Sequence, residues 1–387
     1  MAKRKTDDSV ADRPTKKPVK TSPKVQVSVC IPSTVISSKN ARNLEQITSI
    51  VNQIARAATI YNVVEIIILD IPESAAEDEN QKVVELGGSK GGKKLKFNFS
   101  DEEILKDKQE TVAQTSEDVQ DSSANAFLLA GLLQFFVTPP YLVKTIFSPA
   151  INPSPLNKDM LKKFKYAYKL PKITTLPFMS NNEVFRDFKE GFTVPKETPK
   201  VVSKKDKSKK VKAEKKISVT KYVNIGEAEL LELNIKREIP AYSRVTVDLK
   251  NKTIVSPLQA YGVMGNKSSF GYYVRFCKKF SSIFTESSAP EGYSSSICVQ
   301  SDDFYSSADK IEDLNKINKL DKVEASESGN NNILLVVGSF KDLQRSFKSD
   351  SIEGVDSVGQ MFDGQLEVPN GVRIEDALMI ALTKVYS

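Results

Sequence analysis

The sequence predicts an α/β fold interrupted by a small all-β module, and three observations carry that prediction. Residues 25–69 read as strand, helix, strand. Five short β-like runs crowd residues 190–255. The last sixty residues hold two strands that each end in a small-residue turn and lead into a helix.

The chain begins with a basic arm. Residues 1–24 carry eight Lys/Arg against three Asp, a charge of +5, with too few apolar residues to build a core. Lys3-Arg4-Lys5, a spacer and Lys16-Lys17-Pro18 resemble a bipartite nuclear localisation signal; a solubilising tail is the plainer reading. No apolar core follows these charges, so they do not read as a secretory signal.

Residues 25–31 (VQVSVCI) alternate and meet Pro32, a strand with a stop. Across 40–61, Leu44, Ile47, Ile50, Val51, Ile54, Ala58 and Tyr61 form one apolar stripe at helical spacing. Residues 63–69 (VVEIIIL) make a second buried strand. Strand, helix and strand at this separation predict a βαβ unit with parallel strands. Residues 72–122 then carry thirteen acids against seven Lys and read as a disordered insertion. Within it, Gly87 to Lys94 (GGSKGGKK) fits the glycine–lysine spacing of a phosphate loop. Lys94 stands where magnesium needs a hydroxyl, and no helix opens after it, so it is no nucleotide site.

Residues 124–136 predict an apolar helix, stopped at Thr138-Pro139-Pro140 and resumed over 141–147. In 158–172, lysines alternate with Phe164, Tyr166 and Tyr168. Aromatic faces stack bases while ammonium groups meet phosphates, which makes Lys162, Lys163, Lys165, Tyr166 and Tyr168 candidate RNA contacts. A surface helix with its aromatics turned inward is the alternative. The β-like runs at 190–194, 221–225, 230–233, 244–249 and 252–255 predict a small barrel, an OB-like module. From it hangs 200–216, nine Lys against two acids. Lys204, Lys205, Lys209 and Lys210 are further candidate RNA contacts.

Beyond residue 260 the α/β pattern returns. Strands are expected at 272–276 and 295–299, a helical stub at 280–284, and a polar loop over 306–331. Residues 332–339 (NILLVVGS) are apolar on both faces. A helix-like stretch, the run 361–366 and the turn Pro369-Asn370-Gly371 follow. Ile374, Ala377, Leu378, Ala381, Leu382 and Val385 then mark a helix burying one face. Strand ends that finish in small-residue turns leave N–H groups free, and ligands of open α/β sheets sit there.

Composition sets limits on the chemistry. Histidine is absent, which removes Ser/His and Cys/His nucleophiles, histidine bases and histidine zinc sites. Cys30, Cys277 and Cys298 lack metal or redox spacing and read as buried reduced thiols. The longest apolar run, 126–137, is far short of the roughly 20 residues of a membrane helix. Domains are expected at 1–24 (arm), 25–183 (first α/β part), 184–256 (β insert) and 257–387 (second α/β part).

Several segments resemble one family. Val27 to Ile31 with Pro32, Gln53-Ile54-Ala55-Arg56-Ala57 and Glu65 to Asp70 look like the opening of the SPOUT-type (α/β-knot, class IV-like) RNA methyltransferases that carry an inserted OB-like domain. Leu133-Gln134-Phe135, Pro139-Pro140-Tyr141-Leu142 and Phe188-Lys189-Glu190-Gly191 resemble its middle. Tyr272-Tyr273-Val274-Arg275 and Glu291-Gly292-Tyr293 resemble the approach to its cofactor region. Val372-Arg373-Ile374-Glu375-Asp376-Ala377 is similar to its Ile-Arg-Thr-Glu-Glu-Ala. The chain departs from the family in a shorter last loop, in Gly338-Ser339 where a glycine pair is common, and in Phe178-Met179-Ser180-Asn181 where many members have Pro-His-His.

The resemblance implies a trefoil knot in the C-terminal part, S-adenosylmethionine held by backbone groups of three loops, and a dimer through the knotted helices. By position those loops are Ser301 with Asp302, Gly338 with Ser339, and Asn370, Gly371, Val372 and Arg373. It further implies methyl transfer to RNA, with pre-rRNA the expected target and the nucleolus the expected place. Arg373 would neutralise charge near the target; Glu375, Asp302 or Asn370 would orient the base or take its proton. Arg373 and Glu375 also read as ordinary first-turn helix residues. The alternative function is a catalytically inactive RNA-binding assembly factor of pre-ribosomal particles, paired with itself or with a related SPOUT subunit. A DNA-associated nuclear protein using the same arms is a third reading.

Overall fold

Strands apolar on both sides must be covered on both faces, and here they build one parallel sheet. The structure is a computed structural model that describes residues 25–72, 123–149, 151, 159–179, 187–195, 201–202, 210–211, 218–261, 270–289, 291–301, 311–323, 331–350 and 352–386. Its strands are β1 (Gln26–Pro32), β2 (Glu65–Leu69), β3 (Phe188–Thr193), β4 (Val201–Val202), β5 (Lys210–Val211), β6 (Val219–Thr220), β7 (Tyr222–Asn224) and β8 (Leu231–Glu232). There follow β9 (Ile239–Pro240), β10 (Arg244–Asp248), β11 (Thr253–Val255), β12 (Tyr273–Cys277), β13 (Ser295–Gln300), β14 (Lys319–Leu320), β15 (Asn332–Gly338) and β16 (Gly364–Leu366). The main sheet runs β12-β2-β1-β15-β13-β16-β14, and each neighbouring pair is parallel.

The helices are α1 (Leu44–Ile60), α2 (Ala124–Phe136), α3 (Pro140–Ile146), α4 (Met160–Lys163), α5 (Pro257–Tyr261), α6 (Ser282–Thr285), α7 (Glu312–Asn315), α8 (Phe340–Asp350) and α9 (Ile374–Tyr386). Side chains alternate across a strand, so each central strand feeds two cores. Val29, Ile66, Ile68, Leu335 and Val337 meet α1, α2 and α9 on one face. Cys30, Ile67, Leu69, Leu334 and Val336 meet Phe340 and Leu343 of α8 and Phe280 on the other. The predicted βαβ unit is present, with β1 and β2 paired in parallel. Its helix starts at the first residue of the apolar stripe, four residues into the predicted range 40–61. Asn43 is extended, and its side-chain oxygen accepts the Gln46 N–H at 2.9 Å, which fixes the N-terminus at Leu44.

All five β-like runs of the middle segment join one antiparallel sheet, β11-β10-β3-β7-β8. Its core is small: Val223, Ile225, Leu233 and Val247. An ionic network fastens it to the body. Glu190, fully buried, accepts hydrogen bonds from Thr246 (2.7 Å) and Tyr261 (2.8 Å) and pairs with Arg244 at 3.3 Å. The Arg244 guanidinium lies between the rings of Phe178 and Phe270 and donates to the Val137 carbonyl at 2.8 Å. Burial drives the Tyr261 hydroxyl far above its usual range, with the Glu190 charge adding to it, so it stays a donor.

One expectation fails. The polar stretch expected to loop out over 306–331 contains α7 and the edge strand β14, held by Leu314 and Ile317 in the second core. The glycine–lysine segment 87–94 lies outside the described residues.

Candidate active site

Parallel neighbours bring their carboxyl ends together, and β15, β13 and β16 are consecutive in the sheet. Where β13 ends, the Ser301 N–H donates to the Gly338 carbonyl at 3.1 Å. The buried Ser301 hydroxyl donates to the Val372 carbonyl at 2.7 Å. The Gln300 side-chain oxygen accepts the Phe340 N–H at 2.6 Å, fixing the start of α8. Two hydrogen bonds through one serine thus join the three turns that the sequence singles out.

Beside this junction lies a cleft of about 260 Å³. It is lined by Gln300, by Gln365, Leu366 and the last loop through Val368, Pro369 and Asn370, and by Leu314, Asn315 and Lys319. The N–H groups of Val368, Asn370 and Gly371 carry no hydrogen bond among the described residues. These are unspent donors at a strand end, suited to polar edges of a flat ligand. Leu314, Leu366 and Val368 supply apolar walls. At the rim, Lys319 and Glu367 pair at 2.5 Å, and this contact holds the Glu367 carboxyl below its usual range.

The sequence-predicted residues fall into groups. Ser301, Gly338, Val372 and, next to them, Ser339 make the junction; Asn370 lines the cleft. Gly371 has φ +78°, a left-handed turn that glycine accepts without strain. Gly338 lacks a side chain for another reason. A Cβ there would stand 2.8 Å from Cγ of Pro32, so its open side is filled by β1. Arg373 immediately precedes α9 and Glu375 stands on its first turn, and both are absent from the cleft's lining. Arg373 Nε donates to Glu375 Oε1 at 2.7 Å and its Nη2 reaches the Asn40 carbonyl at 3.4 Å. Glu375 is buried, and its Oε2 has no hydrogen-bond partner among the described residues. Asp302 lies outside the described residues.

Sequence reasoning missed the wall made by Leu314, Asn315 and Lys319. Its one signal was Leu314 and Ile317, two apolar residues at helical spacing in a polar stretch.

The lysine–aromatic segment divides cleanly. Phe164 is fully buried against Phe135 and Phe147. Tyr168 is 51% exposed and meets Phe135 edge-on, and burial of its ring raises its hydroxyl pKa. Lys165 and Lys169 stand over the Tyr166 ring at 5.4 and 5.2 Å. Lys162 pairs with Asp159, and Lys163 is exposed. Lys204, Lys205 and Lys209 lie outside the described residues; Lys210 is placed by its backbone in β5.

Against this geometry stand the comparisons. A family described as "Putative RNA methyltransferase" matches residues 26–385. The chain belongs to that family. This RNA methyltransferase is 32% identical to "Putative methyltransferase YMR310C" of Saccharomyces cerevisiae over 361 residues, 92% of each chain. It is 34% identical to the same yeast's "Putative methyltransferase YGR283C" over 93% of its own length and 87% of the relative's. It is 25% identical to a Drosophila melanogaster "28S rRNA (uridine-N(3))-methyltransferase" over 92% of itself and 61% of that protein. Family membership implies a methyl donor and an RNA substrate, and the matched range covers both the main sheet and the five-stranded sheet.

Proposed function

We propose that this RNA methyltransferase is of SPOUT type, takes S-adenosylmethionine in the cleft at the ends of β13 and β16, and methylates ribosomal RNA. The observation that carries this reading is the meeting of three loops through Ser301 beside a cleft with free backbone donors. The donor set suits the cofactor: apolar Leu314, Leu366 and Val368 for a purine face, backbone N–H groups of Val368, Asn370 and Gly371 for its polar edge. Ser301, Asp302, Gly338, Ser339, Val372 and Arg373 complete the binding loops in this reading. When bound, S-adenosylmethionine supplies a sulfonium methyl to a nucleophile on the RNA.

The chain's own part is positioning. Glu375 holds the Arg373 guanidinium, whose side chain remains 39% exposed at the surface where this reading brings an RNA phosphate near the target. Asp302, Asn370 and Glu375 are the candidates for orienting the base or accepting its proton. In the same reading the segment from β15 through α9 forms a trefoil knot, and β3 to β11 are an OB-like insert occupying 184–256. Lys162, Lys163, Lys165, Tyr166, Tyr168 and the lysines of 200–216 hold RNA. The outer surfaces of the knotted helices pair two subunits, alike or related. The basic arm at 1–24 and a relative that acts on 28S rRNA support a nuclear, nucleolar setting within pre-ribosomal particles.

Incubating the full chain with tritiated S-adenosylmethionine and either ribosomal or transfer RNA tests this. Label in ribosomal RNA alone is expected. RNA binding without transfer to either would leave the non-catalytic assembly-factor role.

A further inference from the structure

A second cavity, of about 200 Å³, opens on the opposite flank of the main sheet. Phe135 and Tyr168 form its aromatic side, Pro171 and Ile173 another, and Thr138 and Lys172 its polar ends. It belongs to neither the cleft nor the methyl-transfer machinery. Its helix α2 packs on β12 and β2, whereas the cleft lies at β13, β16 and β14. From β2 to β16 the sheet order counts four strand steps, about 19 Å at the usual spacing.

Around the cavity the charge is one-sided. Residues 160–172 contain five lysines and no acid, and Asp159 neutralises only Lys162. Lys165 and Lys169 are held near Tyr166 by cation–π contact, and Lys172 stands at the cavity itself. A half-exposed ring bordering a cavity, with Lys172 at that cavity and further lysines on the same segment, matches an unpaired base and its flanking phosphates. Buried Phe164 keeps the segment in place.

We propose that this cavity is an anchor site for one unpaired nucleobase of the RNA, stacked on Tyr168, at a distance from the nucleotide that is methylated. The inference rests on the RNA-substrate reading above and adds a second point of grip. An anchor set apart from the cleft across the sheet would fix which nucleotide reaches it.

Fluorescence anisotropy on the full chain tests it. The probes are a labelled single-stranded RNA octamer and the same ribose–phosphate octamer without bases. Tyr168→Ala should weaken binding of the RNA roughly tenfold, the usual scale for losing one stacked base. It should leave the baseless octamer unchanged, and Tyr168→Phe should retain wild-type affinity for both. Lys165→Ala with Lys169→Ala should lower the slope of log affinity against log salt by about 1.4 for both probes.

Equal losses of affinity for the two probes would overturn the base assignment, because Tyr168 would then act through the fold. Unchanged RNA affinity in a folded Tyr168→Ala chain would overturn it too, and a lowered melting temperature with that result would assign the cavity to packing. Either result leaves methyl transfer by the wild-type chain intact. Failure of the wild type to bind or methylate any RNA would instead sink the reading on which the proposal rests.

Discussion

Gly338 shows how a residue's role depends on what fills the space where its side chain would be. The sequence marks it as a glycine at a strand-end turn, open to a ligand or simply turning the chain, but the ring of Pro32 already occupies that side. Gly338→Ala is therefore expected to cost about 1–3 kcal/mol by overpacking β15 against β1, read by urea unfolding. Lost cofactor affinity at unchanged stability would contradict this. Arg373 and Glu375 follow similar logic. Removing the arginine strands a buried carboxylate whose second oxygen already lacks a partner. Arg373→Ala should cost about 2 kcal/mol, below the usual figure for a buried pair because the arginine is partly exposed. Adding Glu375→Gln should recover most of that, and no recovery would refute the account. Neither arrangement was legible beforehand, since strand register and the Asn40 carbonyl are long-range partners that no local pattern encodes.

At the scale of elements, periodicity was enough where runs were long. The stripe through Leu44 to Tyr61, the helix Ala124–Phe136 and the strand Asn332–Gly338 are all present because each buries a continuous face. It was insufficient for β14, whose two residues cannot display alternation, and so one wall of the cleft went unseen. The end of α8 gives a pH test. Burial pushes the Asp350 carboxyl upward, but hydrogen bonds from Ser281 and the Lys279 charge outweigh that and hold it below its ordinary 3.8. A depressed folded-state value stabilises above the unfolded pKa and is lost as pH falls through the folded one. The stability gap between wild type and Asp350→Asn should be full at pH 7 and close below about pH 4. A gap that persists at pH 2 would show that Asp350 acts by packing alone.

For the whole molecule, the sequence disclosed the parallel core and the five short strands of residues 188–255, but only the folded chain shows that the last three turns share one serine. All three cysteines are buried, and burial raises their thiols, to about 11 for Cys277 and about 12 for Cys298. None should react with a disulfide reagent until the chain unfolds; one fast native thiol would contradict the packing. The most direct measurement is calorimetric titration of S-adenosylmethionine into the full chain, its Tyr168→Ala variant and an Asn370→Trp variant that fills the cleft. The account predicts saturable heat for the first two and at least a tenfold weaker isotherm for the third. Equal binding by all three would place the cofactor elsewhere and contradict the account at its centre.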